Sequence, residues 1–272
     1  MGGEKRTAGF YVLAAFFVLF VLFLYGPLSA VFILSFQGPQ GGLTFPLNGV
    51  SLRWFQNLFE TQAVGNFGAS FGRSLMLGLM VMTATVLVSL LAGLAFRRKF
   101  VGATSLFYLT VASLVVPSII VSLGIGVLFQ QVGFRPAWFS SAFGAHLTWT
   151  LPFGVLIMFA VFNRFSPSYE EAARDLGASS WQTFAHVVLP MIAPSLIGVG
   201  LFGFSLSYDE FARTLMTSGS SNTLPLEIYG MTTNVTTPVL YALGTVTTLF
   251  SFLVILATLG AILLLNRRRA RA

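Results

Sequence analysis

Long apolar runs separated by short polar passages dominate the chain. The first run, Phe10 to Phe36, is interrupted by Gly26-Pro27 and is long enough to cross a bilayer with some tilt. It far exceeds the apolar core of a secretory signal, so it reads as a transmembrane helix. Further runs predict spans over about Ser74–Phe96, Ser105–Phe129, Ala142–Phe162, Met191–Leu206 and Val239–Leu265. Pro117 is expected to kink the third of these. The first two spans are joined by a loop from Gln37 to Arg73, rich in Gly, Pro and Asn. Within it Ser51 can cap a short helix whose Trp54, Phe55, Leu58 and Phe59 share a face at headgroup depth. Turn-rich passages at Gln130 to Ser140 and Ser207 to Thr237 complete the pattern. The expectation is an all-α polytopic membrane protein: one transmembrane domain over residues 1–272 with six transmembrane helices.

One polar stretch in the second half has the makings of helix: Ser168 to Pro190, SYEEAARDLGASSWQTFAHVVLP. Ser168 followed by Glu171 fits a capping box. Glu170, Glu171 and Asp175 bring negative charge towards the positive end of that helix. Glu170 and Arg174, four apart, can pair across one turn. Gly177 suits the left-handed residue that ends a helix. Ser179 or Ser180 can cap a second short helix with Trp181, Phe184 and Val188 on one face. Pro190, lacking an N–H, closes that helix or opens the next. A helix–turn–helix knob between two apolar spans follows.

Composition narrows the class further. The chain is 56% hydrophobic and only 8% charged, against about 25% charge in a soluble domain. The net charge of +7 is no nucleic-acid signature, because the basic residues sit beside the apolar runs. Six spans put both termini on one side, with Lys5, Arg6, Arg97, Arg98, Lys99, Arg164, Arg174, Arg267, Arg268, Arg269 and Arg271. The other side holds Arg53, Arg73, Arg135 and Arg213. Eleven against four makes the termini and the 168–190 loop cytoplasmic. The tails at 1–9 and 267–272 then lie in the cytoplasm as well.

The spacing in the polar loop resembles a family signature. Glu171-Ala172-Ala173, then Gly177, Val187 and Leu189-Pro190, is similar to the EAA loop of ABC importer permeases, with Val187 in place of the usual isoleucine. The resemblance implies the type I permease fold. It also implies that this loop is a coupling helix docking in a separate ATPase, with Glu170, Glu171, Ala172, Ala173, Asp175, Gly177, Leu189 and Pro190 as the coupling residues. The implied partners are a second homologous permease in a heterodimer, two ATP-binding subunits and an extracytoplasmic solute-binding protein. The implied location is a bacterial inner membrane.

Several chemistries lack their residues. A phosphate-binding loop needs a Gly-Lys-Ser/Thr run, and the only lysines are Lys5 and Lys99. No cofactor is therefore expected on this chain, and ATP and Mg belong to the partner ATPase. Cysteine is absent, which removes thiolate metal sites and disulfides. His146 and His186 have no ligand partners nearby in sequence and read as helix or interface residues. No nucleophile elbow is visible, and an enzyme is not expected.

Acidic residues near a membrane point to function by default. Asp209 lies about twenty residues beyond Pro190, or about 30 Å along a helix, which reaches the outer side. Pairing of Asp209 or Glu210 with Arg213 at a solvated helix end is the plainer reading of this charge. SLSYDEFARTLMTSGSSNTLPLEIYGMTTN is also similar to the end of the fifth span in spermidine/putrescine permeases, with Tyr208 where leucine is usual. An extended polyamine needs carboxylates and aromatic faces, and Tyr208, Asp209, Glu210, Phe211 and Tyr229 can supply both along a substrate path. Permeases for opines, amino acid derivatives and phosphonates share much of this pattern. An ATPase-independent channel or carrier would instead need charges inside several spans, where this chain has almost none.

Overall fold

The structure, a computed structural model, describes residues 7–43, 45–60, 66–234 and 237–269. Lys5, Arg6 and Arg271, assigned above to the cytoplasmic tails, lie outside the described residues. Among those described, five helices are long and apolar enough to cross a membrane. They fall in two compact units, residues 1–66 with 230–250 and residues 67–229 with 251–272.

In the first unit, α1 (Ala8–Leu34) continues through Pro27 as one helix, as the reading of a single first span expected. Most of its large apolar side chains are exposed, Phe23 at 79%, as suits an apolar surrounding. The loop beyond it is organised by Gln37, which is fully buried. The Gln37 amide oxygen accepts the backbone N–H groups of Gly38 and Asn48 at 3.0 and 2.8 Å. Its carbonyl accepts the Trp54 indole N–H at 2.7 Å. α2 (Arg53–Asn57) is the short helix expected there. Leu58 is buried, but Phe59 is 75% exposed and does not share its face.

The second unit is built on α3 (Phe67–Phe96), α6 (Phe143–Arg164) and α9 (Leu189–Tyr208), each packed on the other two. Small residues let them approach closely. Gly93 faces Phe162 and Met158, Gly154 faces Ser89, and Gly203 faces Thr85. The Thr85 and Thr150 hydroxyls bond across the α3–α6 seam at 2.8 Å. Met158, Phe162, Val188, Ile192 and Val199 form the apolar centre.

The third predicted span is carried by two shorter helices, α4 (Ala103–Ala112) and α5 (Ser118–Gln131), so it is broken where a kink was expected. Pro117 is extended, with ψ of 131°, and proline also pushes the preceding residue out of the α region. Ser113 takes up the slack by donating to the carbonyls of Thr110 and Thr148.

The other boundaries shift outward: α3 begins at Phe67 inside the predicted loop, and a π turn at Trp138–Ala142 lengthens the fourth span. Two helices cross the boundary between the units, α10 (Leu224–Asn234) and α11 (Val239–Arg269). α10 occupies what the sequence predicted as loop.

Candidate functional site

The polar loop folds into a knob, by a route only partly expected. α7 (Ser168–Asp175) takes Pro167 as its N-cap, and Ser168 makes no capping bond. The predicted Ser168–Glu171 box is therefore corrected. Pro167 already has helical torsions, and a fixed φ with no N–H to satisfy makes proline a ready start for a helix. Its carbonyl accepts the N–H groups of Glu170 and Glu171, while the Ser168 hydroxyl meets that of Ser166 at 2.7 Å.

Gly177 ends α7 at φ +84°. The Ala178 N–H donates to the Ala173 carbonyl at 3.0 Å and the Gly177 N–H to that of Arg174 at 2.8 Å. This is a Schellman motif, which satisfies carbonyls the helix end leaves open. A capping box does form three residues on: the Ser179 hydroxyl accepts from the Gln182 N–H, and the Gln182 amide oxygen accepts from the Ser179 N–H. It starts α8 (Ser180–Thr183).

α8 does not stop at Pro190. It passes through a π turn at Phe184–Val188 directly into α9. Proline removes one ladder bond and crowds the carbonyl four residues back, and the wider π turn beside it relieves that conflict. The second half of the knob is thus the foot of a membrane helix. Leu189 is half-buried there and Pro190 exposed.

The knob is anchored by a residue far away in sequence. The Arg97 guanidinium donates to both Glu170 carboxylate oxygens, at 2.7 and 2.9 Å, and lies over the rings of Phe162 and Phe165. The expected Glu170–Arg174 pair is only a 4.0 Å contact. The Arg97 hydrogen bonds hold the Glu170 carboxyl below the ordinary carboxylate range. Glu170 is therefore turned inward, while Glu171, Ala172, Asp175 and Gly177 are exposed and Ala173 is half-buried. Two apolar side chains stand out on the knob, Leu176 at 90% and Trp181 at 71% exposure.

The second candidate region begins where α9 ends. Tyr208 is buried, stacked on Phe204 at 5.7 Å with its edge towards Phe71. Asp209 is exposed as a residue, yet packing against its carboxyl raises the pKa above the ordinary value. Glu210 is half-buried and turned towards Arg213: one oxygen accepts the Arg213 backbone N–H at 2.9 Å, and the other lies 3.8 Å from the guanidinium. Phe211 and Tyr229, eighteen residues apart, meet at 5.0 Å between ring centroids. Of the five predicted path residues, Asp209 and Tyr229 present open surface, Phe211 is partly covered, and Tyr208 and Glu210 are engaged internally.

Arg213 organises the segment. It is fully buried, stacked over Trp149 at 4.6 Å, and donates to the hydroxyls of Ser118 and Thr148. Its carbonyl accepts the Ser122 hydroxyl, which in turn accepts the Met216 N–H. His146, also buried, bonds Ser207 through Nδ1 at 2.8 Å and Thr214 through Nε2 at 2.9 Å. The Ser141 hydroxyl donates to the Thr217 carbonyl at 2.7 Å. Sequence reasoning passed over Arg97 and this clasp. A usable signal was present in the clasp's small polar residues, such as Ser118 and Ser122 one turn apart in an apolar helix facing a lone arginine.

The family described as "Binding-protein-dependent transport system inner membrane component" matches residues 85–271. Over 252 residues the chain is 28% identical to the spermidine/putrescine transport system permease protein PotC of Haemophilus influenzae, covering 92% of this chain and 96% of that one. It is 28% identical over 231 residues to the putrescine transport system permease protein PotI of Escherichia coli strain K12, covering 82% and 80%. Among solved structures, a chain of a bacterial ABC transporter that imports the acidic polysaccharide alginate superposes with a TM-score of 0.71 at 14% identity. The superposition covers 93% of this chain and 94% of that chain, and it shows a shared fold.

Proposed function

The chain belongs to the binding-protein-dependent transport system inner membrane components, and from that premise we propose that it is the permease subunit of a bacterial ABC importer for polyamines or closely related cationic amines. The observation that carries the coupling role is the rigid knob: two opposed end-motifs around Gly177, anchored through Arg97, with Leu176 and Trp181 left exposed by the described residues. Exposed apolar side chains on a polar projection suit a protein partner. The reading assigns that partner as the ATPase, with Glu171, Ala172, Asp175 and Gly177 at the contact. ATP and Mg are bound there and not on this chain. The excess of basic residues on the side of the termini supports a cytoplasmic knob.

The assembly would be two homologous permeases forming a heterodimer, two ATP-binding subunits and an extracytoplasmic solute-binding protein. Closure of the ATPase dimer moves the knobs together and opens the path outward. The knob can transmit that shift only through contacts with the ATPase that differ between the two states.

For the substrate, the names of the relatives and the local chemistry support the same class. An ammonium group gains from a carboxylate that lacks a counter-charge and from ring faces beside it. Asp209, with its raised pKa, and the Phe211–Tyr229 pair offer these, with Tyr208 and Glu210 behind them. In proteoliposomes holding the full complex, spermidine delivered by the binding protein should stimulate ATP hydrolysis and be taken up. Asp209→Asn should lower uptake several-fold while ATPase co-purification is kept. Stimulation by an anionic or neutral solute alone would overturn the substrate class.

A further inference from the structure

We propose that the cavity at the foot of α3, bounded by α7 and α8, binds one anionic phospholipid through its phosphate headgroup. The cavity has a volume of about 800 Å³. Its rim carries Arg97, Arg98, Lys99 and Arg174 against a single carboxylate, Glu170, and Arg97 already engages both oxygens of that group. Arg174 reaches it only at 4.0 Å, and neither Arg98 nor Lys99 has an ion-pair partner among the described residues. Three cations facing one concavity repel one another, and a bound anion relieves that repulsion.

A second observation points the same way. Thr183 lines the cavity at 3% exposure, and its hydroxyl has no hydrogen-bond partner. A buried hydroxyl left without a partner is costly, and a phosphate oxygen is an acceptor that would satisfy it.

The walls decide between a lipid and a free anion. Leu94, Phe184 and Val188 form an apolar side beneath the basic rim. Inorganic phosphate gains nothing from such a wall, whereas the acyl chains of a phospholipid do. The level is also right. The apolar stretch of α3 ends at Phe96, and the apolar span Ser180–Tyr208 begins beside it. Hydrocarbon gives way to headgroups at such helix ends, and basic pockets between transmembrane helices hold anionic headgroups. The proposal rests on the membrane-spanning fold and is independent of the transported substrate.

The test is lipid retention by the purified complex. Detergent-extracted complex is exchanged into nanodiscs of phosphatidylglycerol mixed with phosphatidylcholine, stripped gently, and weighed by native mass spectrometry. The wild type should retain phosphatidylglycerol in preference to phosphatidylcholine. Arg98→Gln with Lys99→Gln should cut that preference on the order of tenfold or more, and Thr183→Val should cut it less. ATPase co-purification should be unchanged by the double variant. Equal retention by wild type and double variant would overturn the site. So would displacement of the lipid by excess inorganic phosphate, which would identify a free-anion site. A double variant that sheds the ATPase and keeps its lipid would make the cavity part of a protein interface, again overturning the proposal. Failure of the wild-type complex to assemble would count against the importer reading, whereas an assembled complex with no preference for phosphatidylglycerol would overturn the lipid site alone.

Discussion

The knob at 168–190 and the segment at 207–223 are both short polar passages beside apolar helices, yet they differ in how much distant residues contribute to holding them. In the knob nearly every bond is local: Pro167 opens α7, Gly177 closes it, and Ser179 with Gln182 opens α8. Its one distant ion pair among the described residues, Arg97 to Glu170, is only partly covered. The 207–223 segment has local bonds too, among them the Arg213 N–H to the Glu210 carboxylate and the Thr214 hydroxyl to the Glu210 carbonyl, but distant ones are added to them. Groups on α5 and α6, the buried Ser122 and His146 and the half-buried Ser118, Thr148 and Trp149, hold it through Arg213 and Thr214. A local device makes a projection that keeps its shape while its surface stays free for a partner. A buried polar clasp keeps a segment in place through many small terms that fail together when one partner is removed.

The sharpest way to break this contrast is at Arg213. Arg213→Met removes the guanidinium 3.8 Å from Glu210 and leaves the Ser118 and Thr148 hydroxyls without their donor, and breaking a buried pair costs up to about 3–5 kcal/mol. Thermal unfolding in detergent should show that loss, with Arg213→Lys falling in between, because an ammonium cannot reproduce the forked contacts. An unchanged melting temperature would mean that the clasp is dispensable.

Gly177→Val should be milder for the fold and severe for function. No atom lies within 4 Å of a Cβ built there, so the cost is that of a β-branched residue at positive φ, about 1–3 kcal/mol. It should fall on the knob alone, with membrane insertion and melting nearly normal and ATPase association lost. A variant that still co-purifies with the ATPase and transports would show that the turn is not what the partner reads.

The smallest effect concerns the anchor. Glu170→Gln should loosen the knob by about 1–2 kcal/mol, seen as faster amide exchange over 168–178. Arg97 lowers the Glu170 pKa in the folded state, so the pair contributes fully above the ordinary carboxylate value and is lost as pH falls through the lowered one. Knob protection in the wild type should therefore hold from roughly pH 8 to roughly pH 5 and fall only below that. Loss beginning near neutrality would place the anchor elsewhere.

Much of the architecture was readable because a membrane imposes it. Apolar length and basic flanks located the spans, and five of the six predicted runs are single long helices. The positions that misled were those where two local rules compete. Pro167 outweighed Ser168 as the helix start, since fixed torsions need no side-chain bond. Pro117 broke the third span outright where only a kink was predicted, while α1 passed Pro27 as the one helix expected. Pro190 was absorbed by a π turn that has no composition of its own. In the candidate sites, the turn at Gly177 followed from one residue's backbone freedom. The inward rotation of Glu170 did not, because its partner Arg97 was not the one helical spacing proposed, whereas Glu210 does meet Arg213 as that spacing proposed.

The sequence by itself determined the class of protein, the number of apolar passages, the presence of a polar knob and where that knob turns. Each depends on residue type and short-range spacing, or on the uniform demand of a hydrocarbon solvent. Only the tertiary structure decided which charges are spent internally and which are left for partners. That choice depends on groups tens of residues apart, Arg97 with Glu170 and Arg213 with Trp149 and Ser118, brought together when α3, α5 and α6 pack.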